Sequence, residues 1–131
     1  MDRIKDILGK AKVIAVVGAS LDECSASFPI TKYLITRGFG VYPVNPKYAG
    51  EEISGVKFLA SLSDIKEKID IIDVFRRSEA IPGMVDDFLA VRPGVVWFQL
   101  GIYAPDSFKI LEENGIEVIY DRCIYKELME C

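Results

Sequence analysis

Along the chain, short runs of apolar, largely β-branched residues alternate with stretches in which apolar residues recur every three or four positions. Val13-Ile14-Ala15-Val16-Val17, Val41 to Val44, Ile69 to Phe75, Val95 to Leu100 and Ile116 to Tyr120 read as strands, and the first has the unbroken hydrophobicity of a strand buried on both faces. Between them, Ile30, Tyr33 and Leu34 share one helical face, and Ile81, Met84, Val85, Phe88 and Leu89 follow the i, i+3, i+4, i+7, i+8 rule. Pro82 fits that helix only in or near its first turn. Pro105 opens a further helix that Gly115 closes, while Met1 to Leu8 and Ile124 to Met129 read as short helices at the two ends. Repeated strand, helix, strand units of this kind predict an α/β protein with a mostly parallel sheet.

The remaining segments are shorter. Gly18 stops the first strand, Gly38 ends the first long helix, Val56-Lys57-Phe58 has the length of an edge strand, and Ser61 or Ser63 can cap a brief helix running to about Lys68. Right-handed crossovers leave few arrangements. The expectation is a Rossmann-like three-layer α/β/α fold whose mainly parallel five-stranded sheet runs 3-2-1-4-5, with a short extra edge strand, as a single domain over residues 1–131. In such sheets ligands bind outside the carboxyl ends of the strands, where the strand order reverses. The segments that matter are then Gly18 to Phe28, Asn45 to Tyr48, Phe75 to Glu79, Gln99 to Tyr103 and Asp121 to Cys123.

Composition narrows the chemistry. Hydrophobic residues make up 50% of the chain and charged ones 27%, the balance of a packed domain and not of a disordered tail. A net charge of -4 disfavours nucleic acid, which is gripped through clustered cations. No run is long enough to span a bilayer and the N-terminus lacks the apolar core of a secretion signal, so the expected location is the cytoplasm. The three cysteines, Cys24, Cys123 and Cys131, are odd in number and far apart, and the chain has no His, which makes a zinc site improbable and removes the commonest general base.

The first strand-to-helix turn, Gly18-Ala19-Ser20, offers a backbone that a ligand can approach closely and a hydroxyl beside it. Ser25 or Ser27 can cap the helix beginning near Pro29, whose free N–H groups and dipole favour a phosphate. The dinucleotide fingerprint G-x-G-x-x-G is absent, since Ser20 and Glu23 stand where it needs glycines. After the second strand, Asn45-Pro46-Lys47 replaces the acid that would hold a ribose 2′-hydroxyl, a substitution that suits a phosphorylated ribose, although Asn-Pro is also a plain turn former. Phe75 can stack on a base, and Arg76 and Arg77 can meet phosphates or else pair with Asp73 or Glu79. Gln99 and Gly101 end the next strand, where the Gln99 amide can bond a ligand or neighbouring loop backbone. Cys123 has no His to activate it and reads as a packed residue, and Cys24 lies on a polar loop.

Taken together, Val17-Gly18-Ala19-Ser20, Pro43-Val44-Asn45-Pro46, Asp73-Val74-Phe75-Arg76-Arg77-Ser78-Glu79, Val96-Trp97-Phe98-Gln99-Leu100-Gly101 and Asp121-Arg122-Cys123 closely resemble the stand-alone CoA-binding domain family. That family is similar in fold to the N-terminal domain of the succinyl-CoA synthetase α subunit. The resemblance implies coenzyme A as cofactor, with Gly18, Ala19 and Ser20 at its phosphates, Asn45, Pro46 and Lys47 bordering the adenosine 3′-phosphate, and Phe75 and Arg76 flanking the nucleotide. Where relatives carry a basic residue before the Ser27-Phe28 pair, this chain has Glu23-Cys24-Ser25-Ala26. The expected role is a binding, carrier or regulatory module for CoA or an acyl-CoA, without catalysis of its own. The alternatives are a CoA-holding subunit of an acyl-CoA ligase, which would bring a protein partner, and a NAD-type redox sensor.

Overall fold

The carboxylate of Asp2 accepts a hydrogen bond from the Ile4 N–H at 2.9 Å and so opens the first helix, α1 (Arg3–Lys10), which buries Ile4 and Leu8. The elements then follow in the order β1 (Val13–Val17), α2 (Ser27–Thr36), β2 (Gly40–Val44), β3 (Glu52–Ile53), β4 (Val56–Lys57), β5 (Ile71–Val74), α3 (Val85–Val91), β6 (Val95–Phe98), α4 (Pro105–Glu113), β7 (Glu117–Ile119) and α5 (Ile124–Met129). These come from a computed structural model that describes residues 2–130. Met1, the first residue of the expected leading helix, and Cys131, the third cysteine, lie outside the described residues.

Five strands form one parallel sheet in the order β2-β1-β5-β6-β7. Side chains alternate across it. Ala15, Val17, Ile72, Val74, Val96 and Phe98 pack with Phe88 of α3 and Phe108 and Leu111 of α4. Ile14, Val16, Ile71, Trp97 and Ile119 pack on the other face with Leu34 of α2, Ile124 and Leu128 of α5, and α1. Both faces are covered by helices, as the β-branched runs require, and the result is the expected α/β/α sandwich.

The expected strand order needs one correction. Ile69 to Phe75, third in the expected order, lies as β5 beside β1 and not beyond β2, while the short extra edge strand expected at Val56-Lys57-Phe58 is part of an antiparallel hairpin of β3 and β4, attached next to β2 through the Val44–Leu59 bridge. Counted within the sheet, the order is therefore 2-1-3-4-5 and not 3-2-1-4-5. The hairpin has a local reason: the Ser54-Gly55 turn, both residues at positive φ, folds Val56-Lys57 back on Glu52-Ile53 and leaves too few residues for a sixth parallel strand.

The expected long helix after β5 is also divided. Ser78–Met84 is a 3₁₀ helix containing Pro82, and α3 begins only at Val85. A proline within the segment removes a backbone donor and clashes with the carbonyl four residues back, which blocks a regular α-helix there and leaves a 3₁₀ stretch before α3 starts. The helix expected after Ser61 shrinks to a 3₁₀ turn, Leu62–Asp64, capped by Ser61. No helix among the described residues is long and apolar enough to cross a membrane.

Candidate functional site

The strand order reverses between β1 and β5, and the carboxyl ends of those strands define the site. Gly18 leaves β1 with φ of +86°, and its N–H donates to the Val44 carbonyl of β2. A side chain at Gly18 would run into the carbonyl of Phe75 and lie 3.1 Å from Arg76 Cδ. The turn after β1 thus rests directly on the turn after β5. Only glycine satisfies both the left-handed φ and the close approach.

Two cavities meet there. One, of about 580 Å³, is lined by Gly18, Ser25 to Ser27, Ile30, Phe75 to Glu79, Gln99 to Ile102 and Cys123. The other, of about 480 Å³, lies on the opposite side of the turn, against Val44 to Pro46, Ala60 to Leu62, Met84, Asp87 and Phe88. Gly18, Phe75 and Arg76 line both. Sharing those walls, the two form a cleft on either side of the switch point.

The residues singled out from sequence fall into three groups. Gly18, Ser25, Ser27, Phe75, Arg76, Gln99 and Gly101 line the first cavity, and Asn45 and Pro46 line the second. Ala19, Ser20 and Lys47 line neither. The Ala19 side chain is fully buried, the Ser20 hydroxyl accepts from the Asp22 N–H and lies 3.3 Å from the Tyr48 hydroxyl, and the Lys47 ammonium sits 5.3 Å from the Tyr48 ring centre.

Asn45 is a brace. Its amide donates to the Ala19 carbonyl at 2.9 Å and its Oδ1 accepts from the Lys47 N–H, so one side chain ties the turn after β2 to the turn after β1. At α2 the expected serine cap is not made. The Ser25 hydroxyl turns back to the Asp22 carbonyl at 2.8 Å, Ser27 falls inside the helix, and the N-cap position is Ala26, without a side-chain cap. Residues 25 to 27 are wall residues of the first cavity, so the positive end of a ten-residue helix adjoins it.

Arg76 and Arg77 are exposed, and among the described residues neither takes part in an ion pair. The expected alternative partner, Asp73, is fully buried on β5 between Val16 and Trp97 of the neighbouring strands, with neither carboxylate oxygen hydrogen-bonded among the described residues. Burial alone pushes the Asp73 carboxyl well above the usual carboxylate range.

The floor near Cys123 is held by three bonds between side chain and backbone. Trp97 Nε1 donates to the Arg122 carbonyl at 2.9 Å, the Ile124 N–H donates to Gln99 Oε1 at 3.2 Å, and the Gly101 N–H donates to Asp121 Oδ1 at 3.0 Å. Asp121 itself sits at φ of +56°. Gln99 therefore spends its oxygen on loop backbone, the second of its two expected uses. Ser78 and Ile102 lie within the segments picked out from sequence, whereas Ile30 in the first cavity and Met84 and Asp87 in the second were passed over, because each reads as an ordinary position of its helix.

The model of a CoA binding domain matches residues 12–129 of this chain. The Bacillus subtilis protein YneT, itself uncharacterised, is 41% identical over 121 residues, 92% of this chain and 88% of YneT. A solved structure from Thermus thermophilus superposes with a TM-score of 0.95 at 42% identity, covering 99% of this chain and 98% of that one. The ADP-forming acetate–CoA ligase of Methanocaldococcus jannaschii is 32% identical over 76 residues, a stretch that is 58% of this chain but 10% of the ligase.

Proposed function

Because this chain belongs to the CoA binding domain family, we propose that it binds coenzyme A, free or acylated, across the cleft at the β1–β5 switch point, as a binding or carrier module of the cytoplasm without catalysis of its own. The observation that carries the reading is the meeting of both cavities at Gly18, Phe75 and Arg76. Coenzyme A has an adenosine end and a pantetheine end joined by a pyrophosphate, and the cleft has the corresponding layout.

The pyrophosphate goes to the middle. Gly18 admits it to the backbone, the end of α2 without a side-chain cap supplies oriented N–H groups, and the guanidinium of Arg76, in no ion pair among the described residues, neutralises charge. The adenosine end goes to the second cavity, where Asn45 and Pro46 form the wall and Lys47 follows; the turn after β2 carries no carboxylate to repel a 3′-phosphate, and the carboxylate that does line this cavity, Asp87, comes from α3. The pantetheine goes to the first cavity, along Ile30, Gln99 and Ile102. These groups suit CoA: cations and helix N–H groups at the phosphates, mainly apolar walls beside the pantetheine.

Coenzyme A supplies a thiol that carries acyl groups, and the residues here orient it and shield part of its length. The chain has no His, the commonest general base for activating a thiol or a hydroxyl, and the reading is therefore one of binding. The test is thermal unfolding with CoA, 3′-dephospho-CoA and NAD. At a hundredfold excess over Kd, CoA raises Tm by about 10 °C, dephospho-CoA by less and NAD by least; a larger shift with NAD than with CoA overturns the reading.

A further inference from the structure

The largest exposed apolar side chains near the cleft are grouped. Leu100, Tyr103 and Tyr120 are 55%, 59% and 49% exposed, far more than residues that belong to a core. The Tyr120 ring stacks on Phe108 with centroids 5.0 Å apart, and Tyr103 lies 5.8 Å from Tyr120 and 6.0 Å from Phe108. The rings hold one another in place, so the surface they form is preorganised. They come from two different segments, the loop after β6 and the residue after β7, brought together at the carboxyl edge of the sheet.

This surface is continuous with the first cavity. Leu100 lines that cavity together with Gly101 and Ile102, and the same Leu100 lines, with Tyr120, the groove that runs beside β7. Ser78, another wall residue of the first cavity, accepts the Tyr103 N–H at 2.9 Å and fixes where the Tyr103 backbone leaves it. Leu100 and the exposed rings thus border the mouth of the first cavity, and the groove beside β7 also carries the charged side chains of Asp121 and Arg122, so the apolar surface is confined to Leu100 and the Tyr103 and Tyr120 rings.

Resting on the placement of pantetheine in the first cavity, we propose that the ligand is an acyl-CoA with an apolar acyl group of medium length, whose chain leaves the cavity over Leu100 and lies on Tyr103 and Tyr120. The direction follows from the order of the groups. With adenosine on the Asn45 side and pyrophosphate at Gly18, the sulfur is the end farthest along toward Gln99 to Ile102. An acetyl group ends inside the cavity, whereas a longer chain reaches the rim, and there it meets aromatic faces instead of water. Aromatic rings suit this role because they give wide, rigid apolar contact at little cost in side-chain freedom.

The experiment is calorimetric titration of the whole chain with CoA, acetyl-CoA, hexanoyl-CoA and octanoyl-CoA, each below its aggregation concentration. Affinity is expected to rise about two- to fourfold per methylene once the chain is longer than acetyl, depending on how fully each is covered. Tyr103→Ser and Tyr120→Ser, both at exposed positions, should each remove most of that gain, with the affinity for free CoA on the same samples reporting that the site is intact. Equal affinity for CoA and octanoyl-CoA overturns the proposal while leaving CoA binding standing. Retention of the full gain in both variants also overturns it, because the chain then lies elsewhere. Self-association that Tyr103→Ser abolishes and octanoyl-CoA leaves intact overturns it as well, by giving the surface to a second copy. If CoA itself does not bind, the underlying functional reading fails first.

Discussion

Gly18 lies against the Phe75 carbonyl so closely that no side chain fits between them, and the left-handed φ of +86° at Gly18 makes the same demand independently. The two turns at the switch point are thereby locked into one unit, with Arg76 just beyond the contact.

From that contact, Gly18→Ala should be among the most damaging small substitutions in the chain. The left-handed conformation costs about 1–2 kcal/mol for an alanine, and displacing backbone at Phe75 adds to it, so a loss of about 2–4 kcal/mol is expected. CoA affinity should fall with it. Gly9→Ala is the control: a side chain there meets nothing, and the residue lies within α1, so it should stabilise by about 0.5–1 kcal/mol. Chemical denaturation of both variants reads this directly.

Arg76→Ala should leave stability within about 0.5 kcal/mol of the parent, because the residue is exposed and takes part in no ion pair among the described residues. It should weaken CoA by about tenfold or more through loss of a charge-assisted contact to phosphate. Arg76→Lys should recover part of the loss. Titrations at low and high salt check the origin, since the gap between parent and Arg76→Ala should narrow as salt rises.

Much of this was readable from the chain. The glycine turn, the Arg pair and the five main strands follow from hydrophobic runs ended by residues with special backbone or charge. What escaped the sequence depends on three dimensions. The hairpin of β3 and β4 rests on four paired residues, too few for periodicity to register. Asn45 read only as a candidate ligand contact or a turn former, and its amide bond to the Ala19 carbonyl, between residues 26 apart in the chain, was not visible from sequence. The failed cap at Ser25 has the same origin, a hydroxyl that finds the Asp22 carbonyl before it finds the helix.

Asp73→Asn should stabilise the protein at neutral pH. Because the folded state raises the carboxyl pKa, the unfolded chain ionises first as pH rises. The parent therefore loses stability from about pH 4 upward, by about 1.4 kcal/mol for each pH unit until the folded carboxyl also ionises. Asparagine fills the same space and carries no charge. The stability of Asp73→Asn minus that of the parent should be smallest near pH 4 and widen toward pH 8; a constant difference would show that Asp73 titrates normally.

Asp121 combines a left-handed backbone with a hydrogen bond to Gly101. Asp121→Asn should be nearly neutral, since Asn tolerates that conformation and keeps an acceptor. Asp121→Val should cost about 2–3 kcal/mol, because a β-branched residue is strained there and cannot accept the bond. Loosening this loop also moves Cys123 in the cavity wall, so CoA affinity should drop in Asp121→Val but not in Asp121→Asn.

The most direct measurement is a calorimetric titration of the purified chain with coenzyme A. The structure and the family predict saturable binding of one CoA per chain at micromolar concentration, abolished or strongly weakened in Gly18→Ala and Arg76→Ala. A flat titration to millimolar CoA, with no CoA carried through purification by mass spectrometry, would contradict the account.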